Sequence, residues 1–216
     1  MKKVVLVFCA FFGLNQIVAQ SKFNRLSIEA SGGVAVPLSP NNLNRSDYVG
    51  LNSFQISGRH NFDSKSNKNL KDLSVRLSYT RHSFRNKNNS DLGIDFDKFT
   101  AEAVYNIGQR LGFGYRFYER FGLLAHTGLG MSFGTPVGAN FYERIGHLQL
   151  GITPQVKISE RFAFFADATY VVNLKQHYGY NGSLISNSRH KTGGFAALSV
   201  GIMFYPGSNK YHADWY

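Results

Sequence analysis

The feature that most constrains this chain is an alternating stretch near its C-terminus, at residues 195–205. A period of two predicts a strand rather than a helix. About ten residues that are apolar on one side only also suffice to cross a bilayer at a tilt, although a soluble sandwich core would explain one such stretch equally well. One face carries the larger apolar side chains, namely Ala196, Leu198, Val200, Ile202 and Phe204, and the other carries Ala197, Ser199, Gly201 and Met203.

Seven further stretches repeat this alternation, separated by segments rich in Gly, Asn, Ser and Asp. The predicted strands are 25–36, 53–62, 73–80, 98–107, 123–132, 147–158, 164–172 and 195–205. Long loops are expected at 37–50, 83–95, 134–146 and 173–191, and shorter turns at 63–70, 108–118 and 159–161. An even number of strands with alternately long and short connections predicts an all-β fold, an eight-stranded antiparallel up-and-down transmembrane β-barrel spanning residues 20–206.

The N-terminus has the pattern of an export signal. Lys2 and Lys3 precede an apolar run that is too short for a spanning helix, and small residues follow it. Residues 1–19 are therefore predicted to be a cleaved signal peptide. Its removal takes away Cys9, the single cysteine, so a disulfide or a thiolate metal site is not expected in the mature chain.

The chain is basic, with a formal net charge of +11. Its Lys and Arg residues are scattered through polar segments, with no basic helix or aromatic RNA-binding motif, so nucleic acid is not an expected partner. Attraction to outer-membrane lipid or lipopolysaccharide explains the basic surface more simply. No cofactor or metal site is expected.

The faces predicted to point into the barrel carry charges of both signs. An eight-stranded barrel is just wide enough for side chains to fill it, and buried charges persist only when they are paired. These residues therefore predict an internal ion-pair network, whose partners cannot be assigned without the strand stagger. Its predicted members are Glu29, Arg59, Arg76, Lys98, Glu102, Lys157 and Asp167.

Aromatic residues concentrate near predicted strand ends or on outward faces, which is typical of the girdles at a membrane interface. They are Phe62, Tyr79, Phe84, Phe96, Phe99, Tyr105, Phe121, Phe133, Phe164, Tyr170 and Phe204.

An enzyme that acts on lipid would need a nucleophile beside a base. His126 and Ser132 lie on one face of one predicted strand but about 20 Å apart, too far for a hydrogen bond. His147, His177 and His190 lie near the expected outer loops, without a carboxylate or nucleophile arranged beside them.

Three stretches resemble the N-terminal barrel of OmpA-like outer-membrane proteins of the Bacteroidetes type, namely residues 121–130, residues 151–161 with Asp167, and residues 211–216. The resemblance covers essentially the whole mature chain. In that family the His-Ala-Asp-Trp segment usually leads to a periplasmic domain that binds peptidoglycan, but such a domain is not expected here, because the sequence stops at Tyr216. Residues 207–216 are then expected to form a short periplasmic tail, with His212, Asp214, Trp215 and Tyr216 available to dock a partner.

These observations together predict a non-enzymatic outer-membrane barrel of a Gram-negative bacterium. Its expected role is envelope integrity or docking within a larger membrane assembly, with a possible protein partner. A narrow ion-conducting pore is the main alternative, and a lipid-acting enzyme is a further one.

Overall fold

A closed barrel of eight antiparallel strands is the main feature of the described fold, which confirms the predicted architecture. The computed structural model describes residues 24–39, 45–62, 72–113, 120–185, 191–207, 209 and 212–215. The predicted signal peptide lies outside these residues. The strands are β1 (Leu26–Ser39), β2 (Leu51–Asn61), β3 (Leu73–Arg85), β4 (Gly93–Asn106), β5 (Phe121–Pro136), β6 (Glu143–Lys157), β7 (Phe162–Gln176) and β8 (Lys191–Phe204).

Each strand pairs with its neighbours in sequence, and β1 pairs with β8 to close the sheet. Closure leaves no edge strand with unpaired backbone groups. The connections β2–β3, β4–β5 and β6–β7 lie at the same end as the chain termini, which we call the termini end. The other four connections lie at the opposite end, the loop end. At the termini end α1 (Ile107–Arg110) follows β4, with its first turn capped by the Asn106 side chain, which accepts from the Gln109 N–H at 3.2 Å.

The outer surface is apolar around the middle of the barrel. Leu129, Val200 and Phe99 are 65%, 67% and 56% exposed. Soluble monomers rarely leave so continuous an apolar surface in water. The alternation along each strand therefore separates an apolar outer face from an inner face that is polar through most of its length. Within the described residues, no helix has the length and apolar character needed to span a membrane.

The strands extend beyond the apolar belt at the loop end. There the outer face becomes charged, and Arg81 and Arg85 pair with Asp95 at 3.2 and 2.7 Å. The loop between β3 and β4 is consequently shorter than predicted, because β3 runs on to Arg85 and β4 begins at Gly93.

The longer strands also correct the prediction for two aromatic residues. Phe84 and Phe96 were expected in the outer girdle, but both side chains point into the barrel and are fully buried. The alternation of inward and outward residues continues beyond Thr80 in β3 and begins ahead of Lys98 in β4, so Phe84 and Phe96 both point inward. By contrast, Tyr79, Phe99 and Phe133 are in ring contact on the outer face, with successive centroids 5.2 and 6.2 Å apart.

Candidate functional site: a filled and sealed lumen

A chain of buried ion pairs runs through the barrel interior from the termini end. Asp214 receives hydrogen bonds from both terminal nitrogens of Arg59, at 2.8 and 2.5 Å. The Arg59 Nε donates to Glu29 at 2.9 Å, and Glu29 also contacts Arg76 at 3.3 Å. Arg76 then donates twice to Glu102, with the Nε bond at 3.1 Å. Each carboxylate thus contacts a guanidinium, as buried charges require.

His126 continues this chain to Asp167. Its Nδ1 lies 2.9 Å from Glu102 Oε2, and its Nε2 lies 3.0 Å from Asp167 Oδ2. Both nitrogens lie at ion-pair distance from an ionised carboxylate, without hydrogen-bond geometry, and this position between two anions fits a charged imidazolium. Asp167 additionally accepts from the hydroxyl groups of Thr153, at 2.7 Å, and Thr169.

Two glycines make room for these side chains. A Cβ at Gly128 would lie 2.5 Å from the Glu102 Cγ, and a Cβ at Gly151 would lie 2.5 Å from the His126 Nε2. Both glycines occupy inward positions on β5 and β6. The large polar side chains therefore fit because neighbouring strands present no side chain there.

The buried charges balance among the described residues. The carboxylates of Glu29, Glu102, Asp167 and Asp214 face the cations Arg59, Arg76, Lys98 and the His126 imidazolium. A neutral sum matters because an uncompensated charge in a low-dielectric interior is costly. We call the series of paired side chains Asp214–Arg59–Glu29–Arg76–Glu102–His126–Asp167 the lumen network.

A second polar group lies towards the loop end. The Lys98 Nζ donates to Gln149 at 3.0 Å and lies 5.2 Å from the centre of the Phe195 ring. His147 sits between the hydroxyls of Ser132, at 2.8 Å from Nδ1, and Thr100, at 2.9 Å from Nε2. Polar side chains therefore fill the lumen from the network up to the first aromatic rings.

An aromatic cluster closes the loop end, and we call it the loop-end seal. Phe195 is central, with its ring centroid 5.5 Å from Phe84 and 6.3 Å from Phe96. The connection between β7 and β8 inserts Tyr180, which is 1% exposed, against Phe84 at 4.8 Å. Further buried members are Ala35, Tyr48, Ile94, Ile145 and Val171. An ion moving along the barrel axis would meet an apolar layer here.

The Tyr180 connection is fastened to the start of β6. Glu143 accepts from the backbone N–H of His177 at 3.0 Å and from that of Tyr178 at 3.3 Å. It also lies 3.1 Å from the His177 Nδ1. These contacts hold the connection that carries Tyr180 over the mouth.

The C-terminal residues close the other end. We call residues 212–215 the strap. Its backbone pairs with Asn24 in a parallel bridge, and a 3₁₀ turn, Ala213–Trp215, follows. Trp215, 7% exposed, belongs to an apolar cluster with Val104, Leu124, Ala163, Phe165, Met203 and Tyr205.

The residues predicted to form a partner-docking tail lie in the strap, and their role in docking stays a prediction. The structure buries His212, Asp214 and Trp215 in the barrel mouth, at 1%, 3% and 7% exposure. The physical reason is that Arg59 needs a second carboxylate beside Glu29, and Asp214 supplies it. Tyr216, the fourth predicted residue, lies outside the described residues.

Two strap side chains have displaced pKa values. Burial raises the pKa of Asp214, but the adjacent Arg59 guanidinium outweighs this and holds it at about 2. Burial lowers the pKa of His212 to about 4. The charged and titratable groups around His212 are Asp214 of the strap, Arg59 of β2, Glu29 of β1 and Tyr205, whose ring stacks on the imidazole at 3.8 Å.

The structure brings together most of the residues predicted for the lumen. Contacts run in series from Arg59 through Glu29 and Arg76 to Glu102, and Asp167 joins through His126. Lys98 is buried in the adjacent polar layer. Lys157 departs from the prediction, because it lies at the termini-end rim, where its Nζ is 3.7 Å from Glu160.

Sequence reasoning missed His126 and Asp214 as members of the network. The inward parity of His126 was a usable signal, since it shares a face with Gly128 and Gly130. Asp214 offered no such signal, because the strap lies beyond the last strand. Among the described residues, no group of His, Cys, Asp and Glu side chains has the arrangement of a metal site.

The histidines considered for catalysis have other surroundings. His126 is an ion-pair member, and Ser132 bonds to His147 rather than to His126. The Ser132–His147 pair is buried below the loop-end seal, and the second nitrogen of His147 contacts Thr100 instead of a carboxylate. His177 does have a carboxylate neighbour, Glu143, which the sequence did not reveal. His190 lies outside the described residues.

The fold defines a small antiparallel barrel with a filled interior, and solved structures of outer-membrane proteins share it. The chain is similar to Neisserial surface protein A, with a TM-score of 0.53 and 15% identity over 84% of this chain and 97% of that one. Two other similar structures are a major outer membrane protein from Thermus thermophilus (TM-score 0.47, 9% identity, 83% and 98% covered) and Ail of Yersinia pestis (TM-score 0.42, 16% identity, 84% and 100% covered). At these identities the likeness concerns the fold alone. No protein-family model and no curated protein matches the sequence.

Proposed function

We propose that this protein is an integral outer-membrane barrel with a structural or accessory role, and that it neither conducts ions nor catalyses a reaction. The observation that carries this proposal is the lumen network, a series of paired buried side chains whose charges balance when the neighbouring Lys98 is included, and which is held between two apolar closures. A conducting pore needs a hydrated path, whereas here ions would have to cross the loop-end seal. The apolar outer belt supports insertion into a bilayer, and the shared fold supports the outer membrane as its location.

The Ser132–His147 pair, a serine hydroxyl beside an imidazole, does not form an accessible catalytic site. The Ser132–His147 pair lacks an orienting carboxylate, and substrate would have to pass the aromatic rings to reach it. Arg144 supports contact with lipid phosphates, since it is exposed on the outer face and lies over the Tyr142 ring at 5.7 Å. The OmpA-like kinship, the Gram-negative source and cleavage of residues 1–19 are parts of the same proposal.

Membrane fractionation with gel electrophoresis tests the location and the fold together. A folded barrel should partition with outer membranes and migrate differently with and without boiling. Soluble protein with identical migration in both samples would overturn the proposal.

The accessory role needs a second measurement, the native mass after purification in a gentle detergent. A stoichiometric companion protein would establish a role in an assembly. A lone barrel would point to a free-standing structural role, and a glycolipid modification lost on deletion would contradict the non-enzymatic proposal.

A further inference from the structure

The strap is held in the termini-end mouth as a peptide ligand is held in a binding site. Side chains from several separate elements converge on it. Arg59 of β2 donates two hydrogen bonds to the Asp214 carboxylate in a bidentate contact, at 2.8 and 2.5 Å. The amide groups of Asn106 and Gln109 donate to the Asp214 carbonyl oxygen at 3.1 and 3.3 Å. Tyr205 donates its hydroxyl to the same carboxylate at 3.3 Å.

Backbone pairing and an apolar pocket complete the set of contacts. The Ala213 N–H donates to the Asn24 carbonyl at 3.1 Å, which extends the bridge between Asn24 and His212. Trp215 packs into the apolar cluster, and a Cβ at Gly122 would lie 3.1 Å from its ring. Recognition of peptides uses the same combination of main-chain pairing, a side-chain pocket and a charged anchor.

We propose that the termini-end mouth is a peptide-binding site for a segment with an aspartate followed by an aromatic residue, and that the strap is its tethered occupant. The specificity follows from the contacts. Arg59 is buried and already pairs with Glu29, so the mouth requires one more carboxylate at the position of Asp214. A guanidinium fork distinguishes a carboxylate from a neutral amide through its paired hydrogen bonds. The neighbouring apolar cluster requires a large ring one residue later.

Tethering explains how such a short segment stays bound. A covalently linked ligand acts at a high effective concentration, which converts a weak association into a nearly complete one. The same segment should therefore bind weakly but saturably when it is supplied as a separate molecule.

The test is binding in trans to a chain that ends at Gly207. A synthetic peptide covering residues 209–216 contains Trp215, the single tryptophan of the protein, while the shortened barrel contains none. We expect the peptide fluorescence anisotropy to rise and saturate when the shortened, detergent-purified barrel is added. The D214N peptide should bind at least tenfold more weakly, and the full-length barrel, whose mouth is occupied, should not bind the peptide.

The proposal would be overturned if the D214N peptide bound the shortened barrel as tightly as the native peptide does. It would also be overturned if the native peptide bound the full-length barrel as tightly as it binds the shortened one. No saturable binding to a folded shortened barrel would overturn it as well. If the shortened chain does not fold, a protease site placed between Gly207 and Asn209 allows the strap to be cut in the folded full-length barrel. Exchange of the cut strap for labelled peptide is then expected, and failure to exchange counts against the site. None of these results bears on ion conduction, so this proposal fails separately from the proposed function.

Discussion

The buried pair formed by Arg76 and Glu102 offers the sharpest test of the lumen network. The two residues face each other across β3 and β4, and their side chains are 1% and 0% exposed. R76M leaves Glu29 with Arg59 alone and leaves Glu102 without a guanidinium. E102L leaves Arg76 with Glu29 only, at 3.3 Å. Each single change unbalances a sealed interior by one charge, and breaking a buried pair costs about 3–5 kcal/mol.

The double variant R76M/E102L restores the balance. It leaves two intact groups, Asp214 with Arg59 and Glu29, and His126 with Asp167. Apolar side chains of similar volume then occupy the vacated space, which is often nearly neutral for stability. We therefore expect the double variant to be more stable than either single variant, with a coupling energy of at least about 2 kcal/mol.

Urea unfolding in lipid vesicles, followed by the mobility of unboiled protein on gels, measures these free energies. The exposed pair Arg81–Asp95 provides a matched control, since its arginine is 51% exposed and the pair joins the same two strands. The same cycle there should give a coupling energy below about 1 kcal/mol. Additive costs for Arg76 and Glu102, or single costs as small as those of the control pair, would contradict a tightly coupled buried ion pair.

Three further predictions concern the strap and the packing of the network. Burial lowers the pKa of His212 from 6.5 to about 4. The docked strap is therefore most stable above pH 6.5, where His212 is neutral whether the strap is docked or released. The strap loses roughly 3 kcal/mol of stability as the pH falls towards 4, because the released imidazole binds a proton more readily than the buried one. Acrylamide quenching of Trp215 should therefore increase over this range, and the increase should be much smaller in H212Q; equal curves would contradict this. G151V should lower the free energy of unfolding in urea by about 1–3 kcal/mol, because a Cβ at this position would collide with His126. G146V is the control on the same strand: a Cβ there has nothing within 4 Å, so this variant should unfold like the native protein. Removal of the strap alone should produce no conductance in planar bilayers, because the loop-end seal remains, and defined current steps from that variant would count against the seal.

The barrel was predictable from the sequence because apolar residues alternate with polar ones wherever the outer face is apolar. The strand ends were less predictable, because the strands continue beyond this apolar region. Beyond Thr80 the outward residues of β3 become Arg81 and Arg85, so the pattern stops although the strand continues. The sequence pattern therefore predicts Phe84 in an outer girdle, whereas the structure buries it in the loop-end seal.

The interior was predictable in composition but not in connectivity. Inward parity identifies Glu29, Arg59, Arg76 and Glu102 as lumen residues, but the partners depend on the stagger between strands. The contact between Arg59 and Asp214 joins positions 155 residues apart, and no periodic pattern extends to the strap. Local sequence therefore encodes which face a residue occupies, while closure of the barrel decides what it meets.

The most direct test of the central claim, a membrane barrel with a sealed lumen, is current recording from the purified native protein in planar bilayers. A sealed lumen predicts insertion without conductance, shown by protein recovered in the bilayer lipid and a current that stays at the baseline. Reproducible current steps that change when Glu102 is neutralised would contradict a sealed lumen, because they would show that ions pass through the lumen network.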